Sequence, residues 1–338
     1  MNLKRFLYLA YYIKQTDKKK FFQFLNYTAN LVKRSKATLI FDSIVSVFRY
    51  NISLLEYFQF RFFNLNDQER KNWAGTGFMY EYQLCMNPKS ERHILEDKTL
   101  FYKNYRDFFV HNVADLETLK RNKEFAQKLL ENPSGKIVLK VSDGKCGKGV
   151  MICETKDFTP DSLIQFMEKK GYKLAEEFIV QHPVLQKLSP TAVNTVRIFT
   201  QLNSNNEVEL LGCRLRISVN SPVDNMAAGN LAAPIDENTG IVIGPGVYSD
   251  ITKAEVSIHP ITGVRIEGFQ VPFWKETLNM VKNAALKHPQ NRSIGWDVVI
   301  TEKGPGLIEG NHDWCKLLWQ LPVKKGMKPI LEKYMISG

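Results

Sequence analysis

The sequence predicts an α+β fold, and three observations carry that expectation. Residues 1 to about 88 have almost no glycine and repeat apolar side chains at helical spacing. From about residue 89 short β-rich runs alternate with helices, and after about residue 190 strands dominate around one long helix. With 338 residues, 44% hydrophobic and 12% aromatic, the chain is long and apolar enough to bury a continuous core, which excludes a disordered protein.

Residues 1–88 read as a basic region of several helices: Leu3, Phe6, Leu7, Ala10 and Tyr11 recur at helical spacing against Lys4, Arg5 and Lys14. The positive charge is conspicuous here, and the formal +11 of the chain implies an anionic partner without choosing one. Two readings stand open. Either the region is an amphipathic surface that sits on anionic lipid or a membrane-bound partner, or its aromatics pack on the rest of the protein and its lysines are solvated. No nucleic-acid recognition motif accompanies the charge, so nucleic acid is not an expected partner. No segment approaches the ~20 apolar residues that cross a bilayer. The first apolar run leads into lysines, not into a small-residue cleavage site. Five cysteines without a CxxC pair read as reduced thiols. The expected setting is cytoplasmic, with peripheral contact at the inner membrane face as its variant.

Residues 89–182 are expected to hold linker helices and a small lid. IVLKV (137–141), VMICE (150–154) and AEEFIV (175–180) are β-rich. Between the last two lies a helix that Thr159 caps, Pro160 opens and Gly171 ends, with Leu163, Ile164, Phe166 and Met167 as its apolar face. Residues 183–338 read as one α+β domain, with strands in TVRIFTQL, VELLGCRLRIS, WDVVIT and GLIEGN. Its helix runs from Pro272 to about Lys287, with Trp274, Leu278 and Val281 at helical spacing.

Two segments carry chemistry. In VLKVSDGKCGKGVMICE, Gly144, Gly147 and Gly149 stand among Lys140, Lys145 and Lys148. Glycines let backbone N–H groups approach a phosphate, and lysines neutralise it. An ordinary exposed turn is the alternative. The loop is not a Walker A motif, because Gly149 follows Lys148 and a strand follows the loop; nor has it the dinucleotide-binding spacing. The second segment, GWDVVITEKGPGLIEGN, reads as two apolar strands about a Lys303-Gly304-Pro305-Gly306 turn. Pairing symmetric about Lys303 sets Asp297 opposite Glu309, with Asn311 on the same face. Facing carboxylates repel unless a cation lies between them, and hard oxygen donors suit magnesium or manganese.

In this order the lysine strand and glycine loop, AEEFI, NTVRIFT, GWDVVI and LIEGN resemble ATP-grasp enzymes. EEFIVQHP, AVNTVRI, HPITGV and GWDVVITEKGPGLIEGNHDW are similar, more narrowly, to the ATP-grasp group associated with sugar transfer and polysaccharide biosynthesis. The resemblance covers about residues 90–325. It implies an ATP-grasp fold, ATP with Mg2+ (or Mn2+) as cofactors, and a site distributed as follows. Lys98, Lys140, Ser142 and the loop of Gly144, Lys145, Gly147, Lys148 and Gly149 would hold the triphosphate. Glu176, Glu177, Phe178 and Ile179 would line the adenine and ribose slot. Arg197 and either Arg214 or Arg216 would hold the transferred phosphate or a substrate carboxylate, and Asp297, Glu309 and Asn311 would hold metal. Asn194, Asn225, Gly229 and Asn230 would face substrate, although Asn230 stands where a second glycine is usual.

The resemblance further implies a carboxylate–amine ligase that works through an acyl phosphate on a sugar in capsular or other surface polysaccharide. Its partners would be a sugar carboxylate, free or nucleotide-linked, and an amine or amino acid. A sugar kinase on the same fold, or a non-catalytic nucleotide-binding module, are the rivals. The site inventory of Lys, Arg and metal ligands, without a Ser-His-Asp or Cys-His set, suits phosphoryl transfer. His182 and His259, in loops beside prolines, are expected to be structural.

Overall fold

A computed structural model describes residues 3–143 and 149–335. Six helices open the chain: α1 (Leu3–Gln15), α2 (Lys18–Val32), α3 (Lys36–Tyr50), α4 (Leu54–Gln59), α5 (Asp67–Lys71) and α6 (Thr76–Met86). Their starts follow the side chains. Asp17, Ser35, Ser53 and Asn66 each accept a hydrogen bond from the first turn of the helix they precede. Of the two readings of this region, the structure bears out packing for the inner side chains. Phe24, Tyr57, Phe58, Phe60, Phe62, Phe63 and Trp73 close into one buried cluster with Ile251. Buried Glu56 locks that cluster to the C-terminal part, accepting from Thr76 and pairing with Lys316 at 2.8 Å.

Helices α7 (His93–Glu96) and α8 (Lys98–Tyr105) follow, then β1 (Val113–Asp115), α9 (Leu116–Arg121), α10 (Lys123–Leu130), β2 (Lys136–Lys140), β3 (Val150–Glu154), α11 (Pro160–Lys170) and β4 (Leu174–Glu177). The four strands make an antiparallel sheet in the order β1-β4-β2-β3. The sequence reading lacked β1, a three-residue strand with no alternation to find. Helix α11 matches its reading: Thr159 caps it in a capping box with Ser162, and Gly171 ends it in the left-handed conformation at φ 78°.

The rest comprises α12 (Pro183–Leu188), β5 (Val196–Leu202), β6 (Val208–Ile217), β7 (Leu231–Ile235), α13 (Trp274–Lys287), β8 (Ser293–Thr301), β9 (Gly304–Asn311), α14 (Lys316–Gln320) and α15 (Lys328–Met335). Strands β5 to β9 form the second antiparallel sheet, in the order β7-β6-β5-β8-β9. One face packs on α13 and on Phe101 and Tyr105 of α8. The other packs part of its length on α6, α14 and α15, through Phe78, Tyr82, Trp314 and Trp319. Helices α6 and α8 thus side with the large sheet. Antiparallel sheets with helices segregated to their faces are the α+β class the sequence predicts. Among the described residues, no helix is long and apolar enough to cross a membrane.

The turn of the acidic hairpin differs from the expectation. Thr301 pairs with Gly304, so the turn is Glu302-Lys303, and Gly304 to Gly306 already belong to β9. That tight turn alone would set Asp297 opposite Ile308. A β-bulge after Asp297 leaves Ile308 unpaired and restores the partnership of Asp297 with Glu309. Leu307 faces the core with Val298. Without the bulge, Glu309 would share that core face, since a one-residue slip inverts a strand.

Candidate active site

The large sheet supplies the floor of the site. Arg197 on β5 stands opposite Asp297 on β8, a register that aims both side chains off one face. The guanidinium grips the carboxylate at both oxygens, with Nη2 to Oδ2 at 2.8 Å. Arg216 reaches the same carboxylate at 2.9 Å and Asp224 at 2.8 Å. Asp224 in turn accepts from the backbone N–H of Thr195. Burial would raise the Asp297 carboxyl, but the charges of Arg197 and Arg216 outweigh it and hold the group well below the usual carboxylate range. The same two acids hold Arg216 above its ordinary value against the opposing effect of burial.

Glu309, open to solvent on the site face, is pushed the other way by the protein mass beneath it and by the charge and hydrogen bond of Asp297. Asn311 lies beside it, donating to Glu309 at 3.2 Å and to the Gly295 carbonyl at 3.3 Å. The three predicted metal ligands are therefore neighbours. Two carboxylates and an amide oxygen form a hard donor set that fits magnesium. Such an ion would share Asp297 with the two arginines.

The small sheet supplies the roof. Lys140, at the end of β2, donates to Glu176 on β4 at 2.7 Å, and His111 lies 3.4 Å from the same oxygen. Burial would raise Glu176, yet the Lys140 charge and the His111 hydrogen bond bring it down to about 2. Glu177 accepts from the Asn112 backbone at 2.9 Å. Phe178 lies under the Lys136 ammonium, 5.8 Å from its ring centre. Past the end of β4, the backbone N–H of Ile179 has no hydrogen-bond partner among the described residues.

Lys98 joins roof and floor. It opens α8, where Asp97 caps the helix, and its backbone N–H donates to the Ser142 carbonyl at 2.9 Å. Its ammonium is lowered by burial, against the raising effect of Glu309, and it also feels Lys140, Asp143 and Glu176. Residues of both sheets therefore act on this one side chain. Gly149 closes the base of the glycine loop, its carbonyl accepting from Val141 N–H at 3.0 Å. Its φ of 72° and the 2.3 Å between an added Cβ and Val141 both require glycine. Gly144, Lys145, Gly147 and Lys148 lie outside the described residues.

Other sequence-predicted positions spend their side chains on bonds within the protein. Arg214 shares a face with Arg216, but its guanidinium is buried and donates to the carbonyls of Trp319 and Cys213. Between the two arginines the sequence left open, geometry brings Arg216 to the acids and Arg214 to α14. Asn194 is fully buried, with its amide on Gln181 and Ser189 and its oxygen on the Ser218 N–H. Asn230 likewise spends its amide on the carbonyls of Val223 and Asn225, and its oxygen on the Val219 N–H. Asn225 caps the short turn Met226–Ala228, which Gly229 ends at φ 88°. The stretch read as substrate-facing is a pinned loop that follows Asp224 and leads into β7, with Asn225 and Gly229 partly exposed. His259 bonds to the Ser218 carbonyl at 2.8 Å, a structural position as expected.

Sequence reasoning missed Asp224 and His111. Neither sits in a motif; Asp224 lies 73 positions before Asp297 in the chain and joins it only through Arg216.

No curated protein sequence matches the chain. Among solved structures, it is similar to an ADP complex of N5-carboxyaminoimidazole ribonucleotide synthetase (9% identity, TM-score 0.39, 64% of this chain and 45% of that one). It thus spans about half the length of that protein. It is also similar to a RimK-domain ATP-grasp protein from Sphaerobacter thermophilus (12%, TM-score 0.39, 73% and 70%). A third is D-alanine–D-alanine ligase from Bacillus anthracis (14%, TM-score 0.38, 72% and 68%). The family model described as sugar-transfer associated ATP-grasp matches residues 78–335. That span takes in both sheets and every residue of the roof and floor, and so the chain belongs to the sugar-transfer associated ATP-grasp family and has the ATP-grasp fold.

Proposed function

We propose that the chain is an ATP-dependent carboxylate–amine ligase that modifies a sugar in surface-polysaccharide assembly. One observation carries the reading: Arg197 and Arg216 grip Asp297, which pairs with Glu309 beside Asn311, while Lys140 of the small sheet holds Glu176. A phosphate chain fits between such cations and such metal-ligating oxygens. Residues 89–182 then bear the lid and residues 183–338 the metal site.

In this reading Lys98 and Lys140 neutralise the triphosphate, and the Ile179 N–H and the residues before it receive the base. Arg197 and Arg216 orient the substrate carboxylate and neutralise the phosphoryl group in transfer. Asp297, Glu309 and Asn311 would hold magnesium, whose chemistry is to neutralise the phosphate oxygens. A carboxylate oxygen of the substrate attacks the terminal phosphorus of ATP and ADP leaves, giving an acyl phosphate. The amine then attacks the acyl carbon, phosphate leaves, and the amine proton passes to solvent. Positioning and charge do this work, so a covalent nucleophile is not needed.

The test is mass spectrometry of the products formed from ATP, magnesium and a panel of uronates or nucleotide-linked sugars with amines and amino acids. The expected result is an amide with stoichiometric ADP and phosphate. Phosphate retained on the sugar would replace this reading with a kinase, and no ADP release with any pair would end it.

A further inference from the structure

We propose that the outer surface of α1 to α3 docks on an anionic lipid bilayer. The inference does not depend on the ligase reading. It begins with charge. Residues 1–41 hold nine Lys or Arg and one Asp or Glu, a formal +8 of the chain's +11, while the remaining 297 residues carry 37 against 34. The catalytic body is close to neutral, and the excess is confined to one end of the molecule.

Arg34 donates to the Phe63 carbonyl at 3.0 Å, but most of these charges are unpaired among the described residues. The acid of the segment, Asp17, caps α2. Among the described residues, Lys14, Lys18, Lys19, Lys20, Lys33 and Lys36 are exposed and have no ion-pair partner. Exposed lysines alone would be a solvated face, but the same helices hold large apolar side chains out of the core. Tyr11, Ile13, Phe22 and Leu31 are about half exposed, and Phe41 is 70% exposed. Phe41 points away from the buried stripe of α3, which is Leu39, Ser43, Val47 and Tyr50.

Ammonium groups interspersed with exposed aromatic and aliphatic side chains suit an interface of anionic headgroups over acyl chains. There the lysine stems and aromatic rings lie at the boundary and the charges reach the headgroups. A nucleic acid would take the lysines and has no use for Ile13 or Leu31. Among the described residues no helix is long and apolar enough to cross a membrane, and the docking proposed is peripheral. Phe24, Leu25 and Leu39 pack α2 and α3 on Tyr57 and Phe58 of α4, and the buried Glu56–Lys316 pair ties α4 to the catalytic body, so docking would hold the active site at the membrane surface.

The test is co-sedimentation of the full chain with vesicles of phosphatidylcholine, with and without phosphatidylglycerol. Binding is expected only with the anionic lipid and is expected to weaken as salt rises. Lys18→Glu/Lys19→Glu/Lys20→Glu should weaken it by about tenfold or more. This variant keeps its fold, because acids in the first turn of α2 complement the helix dipole. Phe22→Ser/Phe41→Ser keeps every charge and should also release the protein from vesicles while leaving its retention on heparin unchanged. Unchanged thermal unfolding of both variants separates lost docking from lost folding. No binding to anionic vesicles would overturn the proposal, and so would vesicle binding that ignores the Phe variant, since that describes a polyanion surface and not a bilayer.

Discussion

Floor and roof of the site use the same chemistry, a carboxylate held by basic side chains, in sheets of different burial. In the floor, Asp297 is gripped by Arg197 and Arg216 on β5, buried throughout, and on β6, buried at six of its ten positions. In the roof, Glu176 is held by Lys140 and His111 from a four-stranded sheet whose edge strand β3 is exposed at all positions but Cys153. In the proposed ligase the floor carries folding and chemistry on the same residues. The roof carries a charge pair on a smaller, more exposed sheet, and local opening there is what the proposed lid would use.

The largest expected effect is on the floor. Inserting one alanine between Ile308 and Glu309 moves Glu309 opposite Trp296, onto the core face of Leu307 and Val298, and should cost above about 5 kcal/mol, the range kept for buried unpaired charge. Chemical denaturation measures it. A loss under about 1 kcal/mol would show that the bulge absorbs the added residue. Next comes Asp297→Asn, which leaves two buried guanidiniums facing a neutral amide. It should cost about 3–5 kcal/mol and abolish ATP turnover. A stable but inactive variant would separate chemistry from folding in the floor and break the comparison.

That hairpin also shows what a sequence can hold. Two carboxylates flanked by apolar runs made the partnership of Asp297 and Glu309 legible. The reason given for it was wrong, because the chain turns at Glu302-Lys303 and reaches the same pairing through a bulge. The caps of α11 were legible because Thr159, Pro160 and Gly171 each act on their own neighbours. Strand β7 was not: Leu231–Ile235 is short, contains Pro234, and its place at the sheet edge is set by pairing with β6. Arg214 and Arg216 could not be told apart, since both face the same side of β6. The carbonyl of Trp319, a hundred residues on, decides between them.

The roof should fail more gently, and acid is the way to see it. Glu176 sits at about 2 in the folded chain against an ordinary 4.5. A folded value below the unfolded one means stability fully present above pH 4.5 and lost as pH falls toward 2. At neutral pH the pair contributes on the order of 3 kcal/mol by that shift, an upper bound. Asp297 is lowered from 3.8, so the floor's loss begins at lower pH. Hydrogen exchange as a function of pH should therefore show β2 and β4 opening before β5 and β8. Glu176→Gln should remove that acid step from the roof alone. Simultaneous opening of both sheets would mean that they unfold as one unit.

The smallest effect sharpens the same point. Thr159 accepts from Ser162 N–H and begins α11, whose Leu163, Ile164 and Met167 pack into the core of the small sheet. Thr159→Ala removes that cap and should cost about 1 kcal/mol. A helix welded to the whole molecule would spread this loss over every slowly exchanging amide. A roof that opens on its own confines it, so exchange should rise about fivefold in α11 and the neighbouring strands while β5, β6 and β8 keep their rates, 1.4 kcal/mol being a factor of ten. Equal acceleration in both sheets would show that the roof has no opening of its own.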